Sequence, residues 1–284
     1  MALPLANWLS QDKWQSLALE PVLDIRSADD FAAAHLPNSA NIPWARLPLR
    51  LHELPPAGTP LILIGVAPVL NEAIPWLQCR GWPIKGAWSV NPEPIPDWWS
   101  HGPPTRRLWA PTPFLSEHID GIERSLGGPG RALDLGAGTG RESLYLAQRG
   151  WQVMAVEQRP ELLERMQVSA KDWQVTIDGM AMDLRQASAE AFDTPFHLII
   201  QCRFLLRSLW AYLDAWTVRG AYYLLETFTA EAAKFGKPKN PAFLLAPEEP
   251  MNVLPNWVVV IDQQRTLADG RPLRGVLLKR APTL

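Results

Sequence analysis

Eight residues, Leu133-Asp134-Leu135-Gly136-Ala137-Gly138-Thr139-Gly140, constrain the fold more than any other part of the chain. Arg131–Leu135 is a short apolar run of strand length, and Gly136–Gly140 is the turn that follows it. Arg141–Arg149 then carries Leu144, Leu146 and Ala147 on one helical face before Gly150 stops it. Gln152–Val156 is a second apolar strand, ending in Glu157. Strand, glycine turn, helix, strand and acid point to an α/β fold.

Each part has a physical use. Glycines reach positive φ and bring no Cβ, so a ligand can lie against the backbone. The helix start presents free N–H groups to a carboxylate or phosphate. An acid at the end of the second strand can accept both ribose hydroxyls of a nucleoside, in charge-assisted bonds of about 1.5–3 kcal/mol each. A dinucleotide is one candidate ligand, but its fingerprint is G-x-G-x-x-G. Here the third glycine comes one residue early and Arg141 stands next, so the fit is poor. A purely structural turn is disfavoured by the acid at the strand end.

The string L-D-L-G-A-G-T-G resembles motif I of class I S-adenosylmethionine (SAM) dependent methyltransferases. That resemblance implies SAM as cofactor, with Asp134 directed toward the methionine amino group and Gly136, Ala137, Gly138 and Gly140 cradling the methionine portion. Glu157 would take the ribose. Met180–Leu184 resembles the family's adenine loop, with Asp183 near the exocyclic amine and Leu184 lining the ring. Gln201, at the end of a strand over Phe196–Gln201, completes the cofactor set. Further strands at Val175–Ile177, Ala221–Leu225, Trp257–Asp262 and Leu273–Lys279 bring the number to seven. A Rossmann-like seven-stranded methyltransferase domain is therefore expected over residues 101–284.

Ligands of open α/β sheets bind outside the carboxyl ends of the strands, so the methyl acceptor should meet Gln201–Arg207. Glu226–Glu249, ETFTAEAAKFGKPKNPAFLLAPEE, resembles small-molecule methyltransferases related to the tellurite-resistance enzymes. The resemblance implies a small anionic, chalcogen or thiol acceptor. Arg203 and Arg207 are the candidate catalytic residues, with Lys234, Lys237 and Lys239 as further cations for an anion. The bland alternative makes Arg207 a helix cap and the lysines solvated loop charges. Leu206 stands where such enzymes often carry histidine, which removes a base from that position. Cys202 reads as a packed thiol and His197 as a structural histidine.

Residues 1–100 form a separate α/β domain by the same logic, with strands at Val22–Ile25 and Leu61–Ile64 and helices over Asp29–His35 and about Val69–Arg80. Ser27 occupies an N-cap position. LDIRSADDFAAAHLPNSANIP resembles the rhodanese homology domain. Rhodaneses hold persulfide sulfur on a thiolate whose cradle of N–H groups lowers its pKa. That cysteine should fall at about Ile64 or Gly65, and neither is one. The domain is therefore expected to lack sulfurtransferase chemistry, with Cys79 a packing residue and His35 holding a turn.

Composition bounds the rest. A length of 284 residues suits two domains, and the 47% apolar and 20% charged fractions exclude disorder. A net charge of −2 and a pI near 6.2 give no global basic field, which disfavours an RNA substrate without removing it. Two cysteines make neither a disulfide framework nor a zinc cluster, and no metal is expected. No signal peptide and no apolar run near the roughly 20 residues of a membrane span are visible, so the setting reads as cytoplasmic. Eight of the 28 prolines and six of the 14 tryptophans crowd between Trp76 and Pro113, a connector whose tryptophans are expected to clamp the domains. Two rival functions remain: a tRNA or protein methyltransferase that uses the first domain for docking, and a SAM-binding protein that moves no methyl group.

Overall fold

The computed structural model describes residues 14–15, 20–90, 95–267 and 269–281. The segment 1–13 searched for a signal, residues 91–94 of the proline-rich stretch and Ala268 of the last turn lie outside the described residues. The chain forms two compact units, Met1–Ala110 and Pro111–Leu284. The division falls ten residues beyond the expected 100/101 boundary because the stretch is tied to the first unit. Ser100 exchanges backbone hydrogen bonds of 2.9 Å with His35, and Arg106 Nη1 donates to the Asn38 carbonyl at 2.7 Å.

The first unit is a parallel sheet. Strands β1 (Val22–Asp24), β2 (Ala40–Asn41), β3 (Leu61–Gly65) and β4 (Ile84–Ser89) lie in the order β2-β1-β3-β4. Helix α1 runs Ala28–Ala33, one residue earlier than expected, because the Ser27 Oγ accepts the Asp30 N–H at 3.1 Å. It ends as Ala34 turns extended. Helix α2 spans Ala67–Gln78. Asp24 is buried at the end of β1 and held by the Arg26 guanidinium at 2.6 Å, while the Asn41 amide donates to the Asp24 carbonyl. His35 stacks on Phe31 with ring centroids 3.8 Å apart, and its Nδ1 lies 2.9 Å from the Phe31 carbonyl. Trp82, Trp88 and Trp99 pack within the unit's own apolar clusters.

Only Val66 separates β3 from α2, so no looped cradle of N–H groups exists there. A Cβ on Gly65 would already sit 3.0 Å from Ile25 Cγ1. Cys79 is exposed at the end of α2, not packed as expected: the C-cap position turns its side chain away from the sheet.

The second unit is a seven-stranded sheet flanked by helices. Its elements are α3 (Pro113–Leu126), β5 (Arg131–Leu135), α4 (Arg141–Gln148), β6 (Gln152–Glu157), α5 (Pro160–Asp172), β7 (Ile177–Ala181), β8 (Phe196–Cys202), α6 (Leu213–Trp216), β9 (Thr217–Phe228), β10 (Trp257–Thr266) and β11 (Pro272–Arg280). The order is β10-β11-β9-β8-β5-β6-β7, with β11 antiparallel to both neighbours and the rest parallel. From β5 the sheet grows to β6 and β7 on one side and to β8 and β9 on the other. The crevice between β5 and β8 is thus the point where chain order reverses, the usual place for a ligand.

Two strands differ from their sequence expectation. Val175 closes α5 by donating to the Ala170 carbonyl at 2.9 Å, with Gln174 at φ 55°, so β7 starts later and runs to Ala181. β9 starts at Thr217 and passes through Gly220 at φ 77°, where its register against β8 shifts. At the sheet edge β10 exposes Val258, Val259 and Val260, and its pairing with β11 breaks between Val259 and Ile261. Among the described residues no helix is long and apolar enough to cross a membrane.

Arg50 and Glu53 form a buried pair in the first unit, with Nε–Oε1 and Nη2–Oε2 both 2.6 Å. Arg50→Ala leaves that carboxylate without its guanidinium and is expected to lower the unfolding free energy by about 3–5 kcal/mol. Urea denaturation followed by tryptophan fluorescence reads this directly; a loss below about 1 kcal/mol, the range of an exposed pair, contradicts it.

Candidate cofactor and acceptor site

Every candidate residue of the second unit lies at the carboxyl edge of the sheet, because parallel strands end on one side. Gly136–Gly140 leaves β5, Glu157 ends β6, Asp183 follows β7, and Cys202 and Arg203 end β8. Gly136, Gly138 and Gly140 all have positive φ (76°, 58° and 76°), which no residue with a Cβ adopts freely. The turn is also fixed by packing. A Cβ at Gly136 would lie 2.5 Å from the Phe204 ring, and one at Gly140 would lie 2.3 Å from Met166 Cγ. Gly138 alone faces open space, with nothing within 4 Å of its would-be Cβ. The backbone a ligand can approach is therefore centred on Gly138.

Glu157 is oriented by that backbone. Its Oε2 accepts the Gly138 N–H at 3.0 Å and its Oε1 accepts the Arg159 N–H at 3.1 Å. Asp134 lies beneath the turn at 2% exposure, accepting the Ser143 hydroxyl from the first turn of α4 at 2.6 Å. Burial, reinforced by the charge of Glu142, pushes its carboxyl up from 3.8 to about 7. Asp183 caps a short 3-10 turn and holds Arg185 in a bidentate pair at 2.7–3.1 Å. Leu184 is packed into the main core. Gln201 is buried, its Oε1 accepting the Tyr223 hydroxyl at 2.5 Å while its Nε2 has no hydrogen-bond partner.

The expected cationic cluster does not assemble as a unit. Arg207 pairs with Glu249 at 2.6 Å and donates to the carbonyls of Ala242 and Leu244, so it clasps the 241–249 loop to the end of β8. This corrects its reading as a catalytic anion binder, since four of its N–H bonds are spent on the chain itself. Lys234 pairs with Glu231, and Lys237 and Lys239 are exposed. Arg203 is exposed at the end of β8, its backbone N–H donating to the Glu226 carbonyl at 2.7 Å. His197 Nδ1 accepts the Arg131 N–H at 3.2 Å, a structural role.

Three residues missing from the sequence reading line the same edge. Thr112, at the start of α3, donates its N–H to Glu142 Oε1 at 3.1 Å and its hydroxyl to Glu226 Oε1. Glu226 was noted only as part of a capping segment, and nothing local marks Thr112 or Glu142. Their pairing spans 114 residues between Thr112 and Glu226, which leaves no trace in short-range spacing.

Two outcomes follow. Gly140→Ala, which combines a left-handed φ with a clash, should cost about 2–5 kcal/mol, whereas Gly138→Ala should cost only about 1–2. Equal losses in chemical denaturation would contradict the packing argument. For Asp134 the folded pKa is raised, so its contribution to stability is full below about pH 4 and is lost as pH rises through about 7. The ligand-free protein should lose up to ~4 kcal/mol across that window relative to Asp134→Asn, as melting curves at successive pH values will show.

Residues 132–217 match a family model described as a methyltransferase domain. The protein UNK4.09 of Schizosaccharomyces pombe is 22% identical over 320 residues, covering 91% of this chain and 93% of its own length. TehB from Haemophilus influenzae aligns in structure with a TM-score of 0.50 and 18% identity, over 62% of this chain and 65% of that one. The N-methyltransferase NodS from Bradyrhizobium japonicum aligns at a TM-score of 0.46 and 18% identity, over 60% of this chain and 98% of its own. The likeness to TehB speaks to fold alone. The family match gives residues 132–217 the character of a methyltransferase domain.

Proposed function

We propose that the second unit transfers the methyl group of SAM to a small-molecule acceptor bound beyond the ends of β8 and β9. The observation that carries this reading is the open backbone at Gly138, whose N–H donates to Glu157 at the end of β6, in the loop that leaves β5 beside the point where chain order reverses. The methionine portion lies along Asp134–Gly140, with Gly136, Ala137, Gly138 and Gly140 as its bed. Glu157 Oε2, which accepts only the Gly138 N–H, keeps a lone pair for a ribose hydroxyl, while Oε1 already accepts the Arg159 N–H and Nε–H. Asp183, Leu184 and Gln201 complete the nucleoside end.

Methyl transfer from a sulfonium is an in-line displacement, and holding donor and acceptor at attack distance supplies up to about 7–11 kcal/mol. An anionic acceptor draws its support from Arg203 and the lysines only, because Arg207 is closed off by Glu249. The first unit is read as a rhodanese-like domain in an accessory role. Supporting this are its parallel sheet, the Asp24–Arg26–Asn41 knot and the lack of a thiol at Gly65. The alignment with the Schizosaccharomyces pombe relative covers 91% of the chain and so extends into both units.

Isothermal titration of the full chain with SAM tests the reading. Glu157→Ala should weaken binding about 30- to 1,000-fold, equivalent to ~2–4 kcal/mol. Affinity unchanged in that variant refutes the cofactor placement.

A further inference from the structure

Glu226 stands near the carboxyl end of β9, opposite Cys202 of β8 in register, and is fully buried. One of its carboxylate oxygens accepts the Thr112 hydroxyl; the other, Oε2, is buried and has no hydrogen-bond partner. A buried carboxylate oxygen without a donor is costly, so this site calls for a donor that the chain does not supply.

The surroundings define its chemistry. Thr112 gives its N–H to Glu142, so two carboxylates converge on one residue. Asp134, which accepts the Ser143 hydroxyl, adds a third carboxylate acting on Cys202. Burial and the combined charge of Glu142, Asp134 and Glu226 push the Cys202 thiol well above its ordinary range. Arg265 is paired with Glu117 and Arg207 with Glu249, while Arg203, exposed, and Arg265 still act on Glu226 through their charge, against its burial. Around Cys202 three carboxylates stand against one arginine, an environment that disfavours a thiolate or oxyanion there and favours a group that brings N–H donors. Among the described residues no group of three His, Cys, Asp or Glu is placed to hold a metal ion.

We propose that Glu226 is the acceptor-side carboxylate and that the methyl acceptor is a small molecule bearing an amine, whose N–H donates to Oε2. This rests on the reading of the crevice as a SAM site. The nitrogen lone pair attacks the methyl carbon, and the C–S bond breaks with its electron pair remaining on sulfur as a neutral thioether. The proton of the new alkylammonium then passes to the Glu226 carboxylate.

The test compares two cofactor analogues by titration calorimetry of the full chain. S-adenosylhomocysteine is neutral at the sulfur, and sinefungin carries an amine where the transferred methyl would be. The wild-type protein should prefer sinefungin by about ten-fold or more. Glu226→Gln should reduce that preference to within about two-fold while leaving S-adenosylhomocysteine affinity nearly unchanged, and Glu226→Asp should retain part of it. A wild-type protein that binds both equally, or a Glu226→Gln protein that keeps the preference, overturns the proposal. If Glu226→Gln fails to fold, loss of the whole preference in a folded Glu226→Asp also overturns it, because the charge is still there. A wild-type protein that binds neither analogue overturns the SAM reading instead.

Discussion

The hydrogen bond from the Gly138 N–H to Glu157 joins the turn after β5 to the end of β6, and the rest of the site is arranged around it. The bond forms only because the turn holds three left-handed glycines, and those conformations persist because Phe204 and Met166 leave no room for a Cβ at two of them. Local geometry, packing and charge placement therefore depend on one another. The same turn starts α4, whose first residues put Ser143 under Asp134 and Glu142 beside Thr112.

What was legible in the sequence was local. Leu133–Gly140 with Gly150 and Glu157 gave a strand, turn, helix and strand because each signal lies within a few residues of the next. The third strand was misplaced since Gln174 adopts a left-handed φ that its identity does not announce, and Val175 is drawn into the end of α5. Long-range pairings were invisible. Arg207 reads as a free cation until Glu249 arrives from 42 residues away, and the Thr112–Glu226 contact belongs to the assembled sheet. The unit boundary was misjudged for the same reason, since Arg106 reaches back to Asn38.

Local contacts order the strand ends of the first unit. The Asp24–Arg26 knot and the His35–Phe31 stack hold the strand ends in place. Yet β3 passes into α2 through a single residue, and Gly65 is pressed by Ile25 and Leu70. A thiol side chain at Gly65 would need room that Ile25 and Leu70 already take.

The outer edge of β10 shows three consecutive valines and a row of backbone groups with no neighbour in the sheet. An unbroken apolar edge would template strands from other copies into growing fibrous stacks. Here the slip between Val259 and Ile261 throws the next rungs out of phase, so a foreign strand finds only a short ladder before its side chains face the wrong way. The irregularity thus acts as a safeguard for solubility at the one place where the sheet is left open beside valines.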